Sequence, residues 1–288
     1  MMGSNQRTPR LERLLHLVEH ALEQALPRAT EAPPVIYEAM RYCVLSGGKR
    51  FRPLLCLGGY ETVGKPARQA LDVACALELI HTYSLVHDDL PAMDNADQRR
   101  GQPTCHRKFG EGNAILVGDA LLTRAFELLS RDGLPNALAV IRTIGQACGT
   151  LGLIGGQVLD LQAVSQPRTA TERILRDIAQ RKTAALISAS VVSGALLGRA
   201  SPNQIKRLAH YGQELGLAFQ LIDDVHDDEG LAQVMGIEAA SAEARRLIAR
   251  AVAQLESFGS RANTLRDLAG WLSATAAQLH PAPVAVPA

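Results

Sequence analysis

Apolar residues recur along this chain at three- and four-residue intervals, the spacing of one helix face. Leu11, Leu14, Leu15, Val18 and Leu22 predict a first helix over Arg10 to Leu26. Pro33-Pro34 breaks the chain, and Tyr37 to Leu45 resumes the pattern. Further helices are predicted over Leu71 to Leu90, Ala114 to Ser130, Pro135 to Leu151 and Thr171 to Leu197, and from Pro202 onward. No strand-like alternation and no short-period repeat stands out. The pattern predicts an all-α fold, a helical bundle.

Composition narrows the class. With 30 Lys and Arg against 29 Asp and Glu, the chain has no basic bias, and nucleic acid is not a favoured partner. Aromatics are only 4% of the 288 residues, which leaves Ala and Leu to favour helices. No run of 18 apolar residues occurs, so no transmembrane helix is expected. Met1 to Arg10 lacks the apolar core of a leader. Five scattered cysteines (Cys43, Cys56, Cys75, Cys105, Cys148) read as reduced, buried side chains of a cytoplasmic protein. A single domain over residues 1–288 is expected, with residues 1–10 and 279–288 as disordered tails.

The chemistry concentrates where the predicted helix Leu71 to Leu90 ends. Asp88, Asp89 and Asp94 fall within seven residues, and Arg99-Arg100 follows. Pro91 stops the helix, so Asp88 and Asp89 sit at a C-terminus, where the helix dipole disfavours negative charge. A cation is the simplest compensation. On an unbroken helix Asp88 and Asp94 would point about 240° apart, so the chain must loop at Leu90-Pro91 for both to reach one ion. A second cluster, Asp223, Asp224 and Asp227, puts Asp223 and Asp227 on one helical face, where like charges repel. Carboxylates suit Mg²⁺ bridged to phosphate, and arginine grips phosphate directly. Together they describe a site for a Mg²⁺–diphosphate substrate.

A third element is Ser46-Gly-Gly-Lys-Arg-Phe-Arg-Pro53. Two glycines allow a tight turn, and Lys49, Arg50 and Arg52 follow at a helix start. The segment reads as a phosphate pocket or as a turn with solvated charges. His81 and His87 alone read as hydrogen-bonded structural histidines. Gln157 and Asp160 share a helical face, and Asp160 reads equally as a core polar residue paired with a neighbour.

From about Tyr37 to Trp271 the chain resembles a short-chain trans-isoprenyl diphosphate synthase of the bacterial farnesyl diphosphate synthase type. The resemblance rests on Gly-Gly-Lys-Arg-Phe-Arg-Pro, on His81-Thr-Tyr-Ser-Leu-Val-His-Asp-Asp, and on the two acidic motifs. It implies a helical bundle around a deep apolar cavity, with the acidic clusters facing each other across its mouth. It further implies that Asp88, Asp94, Asp223 and Asp227 hold Mg²⁺, as three ions that Mn²⁺ can replace. Lys49, Arg52, His81 and Arg100 bind isopentenyl diphosphate by the same likeness. Arg99, Lys182, Thr183 and Gln220 attend the allylic diphosphate, and Asp89 and Asp224 complete the catalytic motifs. The departed diphosphate takes the final proton. Tyr83 and Ser84, below Asp88, set product length, with farnesyl diphosphate as the main product and geranylgeranyl diphosphate as the alternative. Gly118-Asp119 resembles a helix that contacts a second subunit, so a homodimer is expected.

One departure stands out. The lysine-bearing loop that such synthases carry after the second acidic motif is missing between Gly230 and Glu238, and no Lys or Arg follows Trp271. The loop is deleted or left out of the sequence, and the residues keep both readings open. A weakly active or non-catalytic partner subunit is therefore a rival reading. A terpene cyclase is another, though it has no need for the Gly-Gly-Lys-Arg-Phe-Arg-Pro pocket.

Overall fold

The computed structural model describes residues 7–28, 33–166 and 171–279. Among these residues the fold is all-α, apart from one short hairpin. The helices are α1 Pro9–Ala25, α2 Pro34–Leu45, α3 Phe51–Glu61, α4 Leu71–Asp88, α5 Cys105–Phe109, α6 Glu111–Leu129, α7 Ala137–Cys148 and α8 Leu153–Ser165. They continue with α9 Glu172–Ile178, a π-helical turn Ala179–Ala184, α10 Ala185–Leu197, α11 Pro202–Asp227, α12 Gly230–Met235, α13 Ile237–Ala253 and α14 Asn263–Leu279. Strands β1 Gln98–Arg99 and β2 Gln102–Pro103 pair antiparallel. Arg100 and Gly101 between them both have positive φ, as a two-residue hairpin turn requires.

Helix ends follow their sequence signals. Thr8 accepts from the Leu11 amide and Pro9 opens α1; Ser201 and Gln204 form a capping box at the start of α11. These contacts correct the tail boundary. Pro9 and Arg10 are helical, and α14 runs to Leu279. Residues 1–6 and 280–288 of the expected tails lie outside the described residues.

The centre is made by helices apolar on every side. Every residue from Phe51 to Tyr60 in α3 is buried, and α10 is buried almost throughout. Truncating a leucine there costs about 2–5 kcal/mol. Small residues let these helices approach closely. A Cβ on Gly59 would stand 2.2 Å from the Val191 carbonyl oxygen, and one on Gly194 would stand 2.0 Å from that of Cys56, so α3 and α10 pack backbone to backbone. Glycines 212 and 216 bring α11 equally close to Ser188 and Ala184. This packing fixes the end of α11 relative to the π-turn, and so builds the site. All five cysteines are free, and four are buried.

Leu138, Leu151, Ile154 and Val158 on and between α7 and α8, with Ile115 and Leu116 on α6, are exposed. An 18-residue window within Ala137–Ser165 has a mean hydropathy of 1.5, and the stretch is long and apolar enough to cross a membrane by length and composition. Counting unbroken apolar runs misses it, because Arg142, Gln146 and Asp160 interrupt it. Core helices of ordinary globular folds pass the same test.

Candidate active site

The ends of α4 and α11, the α2–α3 turn and the π-turn surround a cavity of about 550 Å³. Its lining brings together most of the residues singled out from the sequence: Lys49, Arg52, His81, Ser84, Asp88, Arg99, Arg100, Lys182, Thr183, Gln220 and Asp223. The two acidic motifs, 135 positions apart from Asp88 to Asp223, thus meet in one space.

The acidic residues divide by position. Asp88 and Asp223 line the cavity, and burial pushes each carboxyl up to about 6. Lys182 works against this shift at Asp88, and Lys49 does so at Asp223, with its ammonium 3.7 Å from the carboxylate. Asp94 and Asp227 are exposed and do not line the cavity. The turn after α4 does form, with the Asp94 amide donating to the Asp88 carbonyl at 2.9 Å.

Asp89 and Asp224 do not face the cavity, contrary to a direct catalytic part. Each is one helical step, about 100°, past a cavity-facing neighbour. Asp89, 3% exposed, accepts from Arg99 Nε at 2.9 and 3.0 Å and from Nη2 at 2.8 Å. Asp224 accepts from the Leu231 amide at 2.9 Å and from Gln220 Nε2 at 2.7 Å. Thr183 donates to Gln220 Oε1 at 2.6 Å, so one hydrogen-bonded chain runs from the π-turn through α11 to α12. Among the described residues no three His, Cys, Asp or Glu side chains converge as a metal-binding group.

The basic residues form two groups. On one side, Arg52 is 7% exposed and its Nε has no partner, while burial lowers its pKa to about 10. Arg100 lies over Gly48 and donates to the Gly47 carbonyl. Burial, then the charges of Arg52 and Arg100, hold His81 well below its usual pKa, so it is neutral at pH 7. On the other side stands Lys182, 2.6 Å from Asp160. Burial works against its charge, but Asp160, Asp88 and Asp94 outweigh that and raise its pKa. A π-turn inserts an extra residue into a helix, and here both Lys182 and Thr183 line the cavity.

Several lining residues carry no sequence signal. Arg7 lies in the expected tail, yet it donates to the Lys49 carbonyl and stacks over Trp271. Leu153, Phe219 and Glu78 are set there by helix phase alone. Gln157 is buried with both amide atoms unpartnered. Tyr83 is buried on the next face of α4, edge-on to His87 with ring centroids 5.9 Å apart, and its hydroxyl has no partner. His87 contacts the Ile115 carbonyl at 3.0 Å, a structural histidine as read from the sequence. A larger hollow of about 840 Å³ beside α9 is no rival, since its Arg176 and Arg181 are paired with Glu172 and Asp177.

Residues 33–255 match the protein family described as Polyprenyl synthetase. The chain belongs to that family. It is 42% identical over 278 residues to a dimethylallyltranstransferase of Fischerella ambigua, covering 88% of this chain and 80% of the relative. It is 43% identical to the farnesyl diphosphate synthase of Geobacillus stearothermophilus, with 78% of each covered. Identity to a geranylgeranyl diphosphate synthase of Cyanophora paradoxa is 47%, covering 73% and 71%. Among solved structures, an FPP/GFPP synthase of Zymomonas mobilis superposes with a TM-score of 0.87 at 36% identity, covering 92% of this chain and 97% of that one. Family members of different product length are thus similarly close, and identity does not select among them.

Proposed function

We propose that the chain condenses isopentenyl diphosphate head-to-tail with dimethylallyl and geranyl diphosphate, giving mainly farnesyl diphosphate. One observation carries the reading: Asp88 and Asp223 line the same cavity as Lys49, Arg52, His81 and Arg100. Two anion sites side by side fit two diphosphate substrates.

The donor set fits Mg²⁺. Hard carboxylate oxygens stand on two sides, too few to cage an ion alone, and Mg²⁺ favours one or two carboxylates plus substrate phosphates. Asp88 and Asp94 on one side, and Asp223 and Asp227 on the other, would hold it. When bound it supplies neutralisation of the leaving diphosphate's charge. Lys182 and Arg99 add positive charge on the same side, where charge develops as the allylic C–O bond breaks. Thr183 and Gln220 hold that wall in place through Asp224. Arg52 and Arg100 orient isopentenyl diphosphate with Lys49, and neutral His81 offers one donor without a charge. Tyr83, the bulky residue beside Ser84, limits chain growth.

A homodimer through α6, α7 and α8 would cover Ile115, Leu116, Leu138, Leu151, Ile154 and Val158. A second reading, a partner subunit of low activity, is favoured by the absence of any Lys or Arg from Asp228 to Ala244.

Incubation with Mg²⁺, isopentenyl diphosphate and geranyl diphosphate tests this. Farnesyl diphosphate as the main product supports the reading, and Tyr83→Ala should then lengthen it. No consumption by the pure protein supports the partner subunit, and consumption of the allylic diphosphate alone indicates a cyclase.

A further inference from the structure

Arg50 borders the cavity, yet among the described residues it is the largest side chain to be wholly buried, and its guanidinium is spent on protein acceptors. It stands between the two pocket cations Lys49 and Arg52. Its φ of 49° is left-handed, a conformation disfavoured for a non-glycine residue. Something must hold it there, and the guanidinium does. Nε donates to Glu19 at 2.7 Å, Nη1 to Glu78 at 2.9 Å, and Nη2 to Glu19 at 3.2 Å and to the Val44 carbonyl at 2.7 Å. Four of its five N–H donors are thereby used. One side chain ties α1, α2 and α4 to the start of α3.

We infer that Arg50 is the positioning residue of the isopentenyl diphosphate pocket, fixing the left-handed turn that directs Lys49 and Arg52 into the cavity. The inference rests on the function proposed above and adds to it a residue whose guanidinium acts through its neighbours. Two consequences follow from the contacts. The turn places Lys49 against Asp223 and Phe219, and leaves Arg52 buried with Nε unpartnered. Glu78, 1% exposed, also acts on Arg52 and Arg100. Arg50 binds that carboxylate and so keeps it from capturing the cations meant for phosphate. Burial works against the charge of Arg50, but Glu19 and Glu78 more than restore it.

Glu19 is the accessible handle, since its side chain is 38% exposed while that of Arg50 is fully covered. The test measures isopentenyl diphosphate binding by calorimetry without added metal, together with both KM values and kcat, for wild type, Arg50→Lys and Glu19→Gln. Arg50→Lys keeps the charge and loses the fork. Its Kd and KM for isopentenyl diphosphate should rise about tenfold, and those of Glu19→Gln about threefold, each tenfold being 1.4 kcal/mol. KM for geranyl diphosphate and kcat should stay within about twofold. Wild-type affinity for isopentenyl diphosphate in folded variants overturns the assignment. So does a parallel loss for both substrates, which marks general loosening. If Arg50→Lys does not fold, Glu19→Gln decides by the same criteria. If wild type itself fails to bind isopentenyl diphosphate, the function proposed above falls, and this assignment with it. Wild-type binding with unaffected variants overturns the assignment alone.

Discussion

At the end of α4, Asp88 faces the cavity, Asp89 is buried in hydrogen bonds and Asp94 stands in solvent. At the end of α11, Asp223, Asp224 and Asp227 take the same three stations. The two ends then continue differently. After α4 the chain turns into a hairpin that returns Arg99 and Arg100 to the cavity. After α11 it enters α12, with no cation before Arg245. The comparison teaches that one carboxylate in each triplet faces the cavity and one is held by protein hydrogen bonds. It also shows that the α11 end relies on cations from elsewhere, Lys49 above all.

The largest effect should separate the first two stations. Asp88→Asn and Asp223→Asn should each lower kcat by roughly a hundredfold or more, the scale of losing one preorganised charge partner. Neither should lower Tm. Both carboxyls have folded pKa values raised to about 6, so the stability each contributes is full below about 4, its unfolded pKa, and is lost as pH rises through about 6. At pH 8 a neutral amide therefore holds or raises Tm in the ligand-free protein. A drop in Tm at either position would undo the division of labour.

The buried station should behave in the opposite way. Asp224→Ala strands the Leu231 amide and Gln220, and should cost about 1–3 kcal/mol of stability by denaturant unfolding. Its effect on kcat should be smaller than that of Asp223→Asn. Equal losses of activity at 223 and 224 would show that both face substrate.

How far the sequence exposed this arrangement depends on how local each contact is. The Gly47-Gly48 turn and the basic residues after it were legible because the motif is contiguous. Amphipathic helices such as α1 and α7 were legible from period, whereas α3 and α10, buried on every side, carry little of it. Which of two adjacent aspartates faces the cavity was not, because a 100° step decides it and helix phase is set by packing. Glu19 lies 31 residues from Arg50, and nothing in α1 marks it as the partner. The π-turn at Lys182 likewise has no composition signal, although Gly156, whose added Cβ would lie 2.4 Å from the Lys182 nitrogen, fits its close approach to α8.

A smaller effect probes the cation side of the comparison. His81 is neutral, with its pKa lowered by burial first and then by Arg52 and Arg100. The unfolded chain takes up a proton near pH 6.5 that the folded chain refuses, so stability should fall as pH drops below about 6.5. His81→Gln should flatten that slope between about pH 5 and 6.5 in denaturant titrations. An unchanged slope would show that His81 is charged in the fold.

The central claim is that two separate helix ends hold one divalent-ion–diphosphate unit between them. Calorimetry of inorganic pyrophosphate with Mg²⁺, on wild type, Asp88→Asn, Asp223→Asn and the double variant, tests it most directly. The account predicts Mg²⁺-dependent binding that either single change abolishes, with no further loss in the double. Full binding with one of the two carboxylates removed would contradict it.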